Sequence, residues 1–133
     1  MRKVRWLIYA LYVVTFACIS ACSHVDEETP RSFVSRVITE TVDLRGKISS
    51  ELLAGKQNVS VAGPLSLPAG ERGGVVQFEF GWISSTGAVV VYAKDRVTLI
   101  VLEPHVEKGG VSWKCITYPR EANPTIYASG VLP

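Results

Sequence analysis

Histidine is scarce in this chain, and its two copies stand alone. His24 lies in a polar stretch and His105 follows Pro104, and neither has a cysteine or carboxylate at metal-ligand spacing. Both are expected to be surface polar residues, and no metal site is expected. The Gly-X-Ser-X-Gly pattern of a nucleophile elbow is missing around Ser84, Ser85 and Thr86, which read as a turn. Gly73-Gly74 and Gly109-Gly110 do not precede a helix, which argues against a phosphate loop. Glu79 and Glu103 could face each other across a sheet, and solvated side chains are the simpler reading. No internal repeat and no low-complexity tract is present. With no catalytic constellation, the chain is not expected to be an enzyme, and no cofactor or small-molecule substrate is expected.

The start of the chain also lacks acid and glycine: the first acidic residue is Asp26 and the first glycine is Gly46. Arg2, Lys3 and Arg5 precede an apolar run over residues 6–17, followed by Cys18-Ile19-Ser20-Ala21-Cys22. A basic start, a short apolar stretch and small residues are the parts of a secretory signal peptide. The run is near the lower length limit for a spanning helix, so an uncleaved anchor is the alternative. Ile19-Ser20-Ala21-Cys22 resembles a bacterial lipobox. That resemblance implies cleavage before Cys22 and lipid on its sulfur and amine, and two or more acyl chains hold a protein stably on a membrane. Without acylation, Cys22 is an ordinary residue after a signal peptide. Ser23 follows it, where an Asp tends to hold Gram-negative lipoproteins at the inner membrane. The resemblance therefore implies the cell envelope, at the outer membrane, on its periplasmic or surface face. The domains expected are a lipoprotein signal peptide over 1–21, a lipidated tether over 22–29 and a globular domain over 30–133.

Removing Arg2, Lys3 and Arg5 leaves 11 of the 14 basic residues against 12 acidic ones, a net charge of −1. No basic excess remains to argue for nucleic acid. About 110 residues can bury a modest core. Of the three cysteines, Cys18 leaves with the leader and Cys22 carries lipid. Cys115 is then left without a partner in its own chain, either as a buried free thiol or paired with another chain.

Beyond an acidic tether (Asp26, Glu27, Glu28), Thr29 is a reasonable N-cap and Pro30 suits the first helical position. Val34, Val37, Thr41, Leu44, Ile48 and Leu52 form a stripe, widened by Ile38 and Val42, with Arg36, Glu40, Asp43, Lys47 and Glu51 mostly off it. This predicts one amphipathic helix to about Ala54, stopped by Gly55, with Gly46 marking a bend or a close contact. Residues 56–74 are rich in Gly and Pro and read as loop, with a short strand at Val59-Ser60-Val61.

From Val75 the period changes to two. Val76, Phe78, Phe80 and Trp82 alternate with Val75, Gln77, Glu79 and Gly81, and predict a strand with one apolar face. A second strand over 88–93 is apolar on both faces and is expected centrally. A third over 97–102 ends at Pro104, a longer loop closes at Lys108-Gly109-Gly110, and a fourth carries Val111, Trp113 and Cys115. Trp82 and Trp113 are expected in the core. The fold class is α+β: one amphipathic N-terminal helix packed on a four-stranded antiparallel meander.

Gly87-Ala88-Val89-Val90-Val91, then residues 97–104 ending in Pro104, then Gly109-Gly110-Val111-Ser112-Trp113-Lys114-Cys115 resemble the globular head of type IV pilins. Arg31-Ser32-Phe33-Val34-Ser35, Glu40, Leu44, Lys47 and Gly55 are similar to the exposed half of the pilin helix. The likeness spans roughly residues 31–118. It assigns Pro104, Gly110, Trp113 and Cys115 to the family's structural motif. The chain departs from the family at its start, where a leader cut after glycine and a filament-forming helix give way to the lipobox. It departs again at its end, where Cys115 has no downstream partner for the family's disulfide, so the tail is expected to be the least ordered part. Tyr118 and Tyr127, in that tail, are the candidate partner contacts.

The resemblance implies a membrane-anchored, pilin-like lipoprotein. It would be a structural or interaction module linked to type IV pili, in adhesion or pilus assembly, and not itself a filament-forming pilin. The alternative is a pilin mimic that interferes with pilus assembly or phage attachment. Its partners would be the membrane, through the lipid, and type IV pilus proteins.

Overall fold

A computed structural model of the chain describes residues 28–67, 76–124 and 131–132. The leader, Cys22, His24, Gly73-Gly74 and Tyr127 lie outside them. The fold is α+β. A helical layer, α1 (Pro30–Glu40) and α2 (Val42–Leu53), lies on a six-stranded antiparallel sheet. The strands are β1 (Gly63–Pro64), β2 (Phe80–Ile83), β3 (Val89–Ala93), β4 (Thr98–Glu107), β5 (Gly110–Tyr118) and β6 (Val131–Leu132), and they pair in chain order.

The helical layer begins and ends where the sequence signals stand. Thr29 Oγ1 accepts from the Ser32 N–H at 3.2 Å, and Pro30 fills the first helical position. At the other end Gly55, with φ +80, closes a Schellman motif. Its N–H bonds the Leu52 carbonyl at 3.0 Å, and the Lys56 N–H bonds Glu51 at 3.1 Å. Between these ends the single expected helix is two. The break lies at Thr41, not Gly46. Thr41 Oγ1 donates to the carbonyls of Val37 (2.8 Å) and Ile38 (3.2 Å), and Arg45 Nη2 donates to Ile38 at 3.3 Å. Side chains that take ladder carbonyls bend a helix in this way.

The layer buries Phe33, Val34, Val37, Ile38 and Ile48 against Val89, Val91, Ile100, Leu102 and Cys115 on the inner sheet face. Each such side chain contributes at most about 1.5–3 kcal/mol of transfer free energy. Val42, expected on the stripe, faces solvent. Arg45 is buried instead, its guanidinium 5.9 Å from the Trp113 ring centroid.

The sheet corrects four expectations. There are six strands rather than four, because the two-residue β1 and β6 add to the outer sides; so short a pairing leaves no periodicity to read. Val59 and Val61 are not a strand: Val59 is buried and donates its N–H to the Ser85 carbonyl, and the pairing with β2 falls to Gly63 and Pro64. Pro104 does not end the third strand. β4 runs on to Glu107 and pairs with β5 over nine positions, from Leu99↔Tyr118 to Glu107↔Gly110. β3 pairs with β4 only as far as Leu102, so a missing N–H at Pro104 costs no bond on that side. The longer loop is therefore a two-residue turn, Lys108-Gly109. In the tail, β6 returns to β5 at Trp113 and Lys114.

Two glycines show opposite constraints. Gly87 has φ +91, and a Cβ there would stand 2.6 Å from Ile48 Cγ2. Gly46 has helical backbone and open space around it. Gly87→Ala is expected to destabilise the protein by about 2–4 kcal/mol, and Gly46→Ala to stabilise it by about 1 kcal/mol, both read from urea midpoints.

Glu51 ties the end of α2 to the following loop. Its carboxylate accepts from the Ser60 N–H at 2.6 Å and from the Ser60 hydroxyl, which hold its pKa below the ordinary 4.5. A carboxylate lowered on folding contributes stability above its unfolded pKa and loses it as pH falls through the folded one. Glu51→Ala is expected to be less stable than the parent at pH 7, with the gap narrowing as pH falls below the ordinary carboxylate range, as followed by urea midpoints across pH.

Candidate interaction surface

Strand pleating sends alternate side chains of the sheet away from the helices, and the register lines them up in rows. One row is Phe80, Tyr92, Leu99 and Tyr118, each opposite the next across β2 to β5. The second is Trp82, Val90, Val101 and Ile116, with Pro64 beside Trp82. Beyond them the face turns polar, with Glu103 opposite Lys114 and His105 opposite Ser112. The apolar rows are open to solvent: Phe80 is 51% exposed, Trp82 44%, Ile116 45% and Tyr118 68%. Contiguous exposed apolar area of this kind marks an interaction surface.

This surface overturns one sequence expectation, the burial of Trp82. Trp82 is not in the core, and neither is Phe80. β2 begins only at Phe80, and its core residue is Ile83; ahead of it, Val76 is buried and Phe78 packs over the backbone of Gly81. The strand over 88–93, apolar on both faces, does lie inside the sheet, as expected, with Val89 and Val91 on the buried face. The second face of β3 and β4 is this surface.

Of the predicted site residues, Tyr118 lies on the surface, at the end of β5, and Tyr127 and Cys22 lie outside the described residues. Pro104, Gly110, Trp113 and Cys115 belong to the β4–β5 hairpin. Trp113 is buried, as expected, with its indole N–H donating to Ser49 Oγ at 3.1 Å. Cys115 is a buried free thiol. Burial pushes its pKa up to about 11, against the opposing charge of Arg45. Glu79 and Glu103 do not face each other. Glu79 accepts the Lys94 N–H at 2.7 Å, whereas Glu103 pairs with Lys114 and lies 3.5 Å from His105 Nε2. Among the described residues no His, Cys, Asp and Glu group could hold a metal ion, and no helix is long and apolar enough to cross a membrane.

One end of the surface adjoins the start of the domain. Glu28 bridges Arg36 (3.2 Å) and Arg96 (3.0 Å), and Arg96 also meets Asp95 (2.8 Å) and lies over the Phe33 ring at 5.0 Å. Arg31 donates to the Glu121 carbonyl at 3.2 Å, in the short 3-10 helix Arg120–Ala122. The chain thus enters the domain beside the β3–β4 turn, where the row of Phe80, Tyr92, Leu99 and Tyr118 also lies.

Against protein-family models, curated proteins and solved structures, the chain shows no match.

The high pKa and burial of Cys115 make a chemical prediction. In the folded protein at pH 8 the thiol is expected to react with a disulfide reagent far more slowly than a free cysteine, reaching the ordinary rate only in denaturant, as followed by absorbance of the released thiolate.

Proposed function

We propose that this chain is a membrane-anchored, pilin-like lipoprotein, held at the outer membrane by lipid on Cys22, that acts as an interaction module for type IV pilus proteins. It does not build the filament and performs no catalysis. The observation that carries this reading is the outer sheet face, with two apolar rows across four strands. A helical layer on an antiparallel meander, with Trp113 and Cys115 buried in its long hairpin, agrees with the head expected from the pilin-like segments. Leader and lipobox supply the anchor in place of a filament helix.

The same face supports the interference reading, since a head that binds pilins and cannot polymerise would occupy an assembly or phage-binding site. One experiment separates the outcomes. The intact protein, tagged at its C-terminus and extracted in detergent, is expected to enrich pilins or pilus-assembly proteins. The double variant Trp82→Ser, Ile116→Ser is expected to lose about tenfold of that recovery, the effect of one contact worth ~1.4 kcal/mol. Higher expression that lowers piliation or phage sensitivity identifies interference; unchanged or raised piliation identifies support. Absence of pilus proteins from the parent eluate sinks both. The mass of the mature N-terminus tests the anchor on its own, with acylated Cys22 expected.

A further inference from the structure

We propose that the tether-side edge of the domain rests directly on the bilayer surface, so that the head is held at two points, by lipid and by its own side chains. This rests on the lipid anchor proposed above.

The first argument is reach. Glu28 is fixed by Arg36 and Arg96 at 3.2 and 3.0 Å. Six residue steps separate it from Cys22, and fully extended they span about 20 Å. The edge where the chain enters the domain is therefore kept near the headgroups, whatever course the tether takes.

The second argument is what that edge presents. Phe80, Leu99 and Tyr118 end the outer sheet face there, and Val97 stands at the tip of the β3–β4 turn with 62% of its surface exposed. Val97 also has φ +46, in a region where a β-branched residue is rarely found and Gly or Asn is the usual occupant. An exposed aliphatic side chain is thus kept at the tip at the expense of backbone comfort. Tyr118, with an apolar ring and a polar tip, suits the boundary between headgroup and acyl chain.

The third argument is charge and size. Exposed Lys94, Arg31 and Arg120 are offset around this edge by Glu79, Asp95 and Glu121, so attraction to anionic lipid is not what selects the membrane. Phe80, Val97, Leu99 and Tyr118 together expose on the order of 400 Å², about half of the ~800 Å² each partner buries in a standard protein interface. By itself this edge falls short of a standard protein interface, and it is enough to add to an anchor already in place.

The test uses the full-length protein reconstituted into phosphatidylcholine vesicles, with a nitroxide at Val97→Cys or at Lys108→Cys. Lys108 lies at the opposite end of β4, about 30 Å away. The label at 97 is expected to lose collisions with a water-soluble nickel complex and gain collisions with oxygen, in low and in high salt, while the label at 108 stays in water. Adding Phe80→Ser and Tyr118→Ser is expected to return the label at 97 to water without releasing the protein from the vesicles. If the parent floats with vesicles and both labels are in water, the docking is wrong and the anchor stands. If the parent does not float, the anchor reading fails and the docking with it. Spin–spin broadening of the label at 97 that grows with protein density in the vesicles assigns the edge to a second copy of the chain and overturns the membrane assignment.

Discussion

The close approach of Ile48 to the backbone of Gly87 sets how the helical layer sits on the sheet. A Cβ at Gly87 would fall inside contact distance of Ile48 Cγ2, and φ +91 at the same residue turns the chain into β3. One glycine therefore serves as the floor under α2 and as the corner between two strands. With Ile48 seated, Trp113 comes within hydrogen-bonding distance of Ser49, Arg45 is enclosed over the indole, and the inner face from Val89 to Cys115 is sealed. An L side chain at position 87 would lift the helix from the corner and open that seal. Packing interiors tolerate such a gap poorly.

The other end of the helical layer is fastened by charge. Glu28, Arg36, Arg96 and Asp95 form a connected group rather than an isolated surface pair, and Arg96 is also stacked on Phe33. Exposed pairs contribute little singly, but a partly buried network with an aromatic floor orders several side chains at once. The layer is thus located by shape at α2, while at α1 the charged network adds to the burial of Phe33, Val34, Val37 and Ile38.

The local signals in the sequence were legible and the relational ones were not. Thr29-Pro30 and Gly55 marked the helical layer correctly, because caps act within one turn of chain. Turn residues marked the meander for the same reason, and Ser84-Ser85-Thr86-Gly87 is the turn before β3. The bend at Thr41 depends on where Arg45 points, which no spacing reveals. Pro104 read as a stop because its tolerance depends on how far β3 extends alongside. The outer face was hidden by an ambiguity of pattern: Val90, Tyr92, Leu99 and Val101 look the same whether covered or open. The alternating run that ends at Trp82 reads as one strand, but only its last part is paired with β3, so its period does not tell which face is covered. Tyr118 reads as a tail residue, yet it is the last residue of a central hairpin and stands in register with Leu99.

Pairing in chain order has a consequence for how this domain comes into being. Each of the central strands meets a partner only a turn away, and the longest ladder, between β4 and β5, closes around two residues. Small loops cost little entropy to close, and topologies rich in such local pairs fold quickly. Such a sheet can form strand by strand, each strand finding its partner in the segment just before it, without waiting for a distant one.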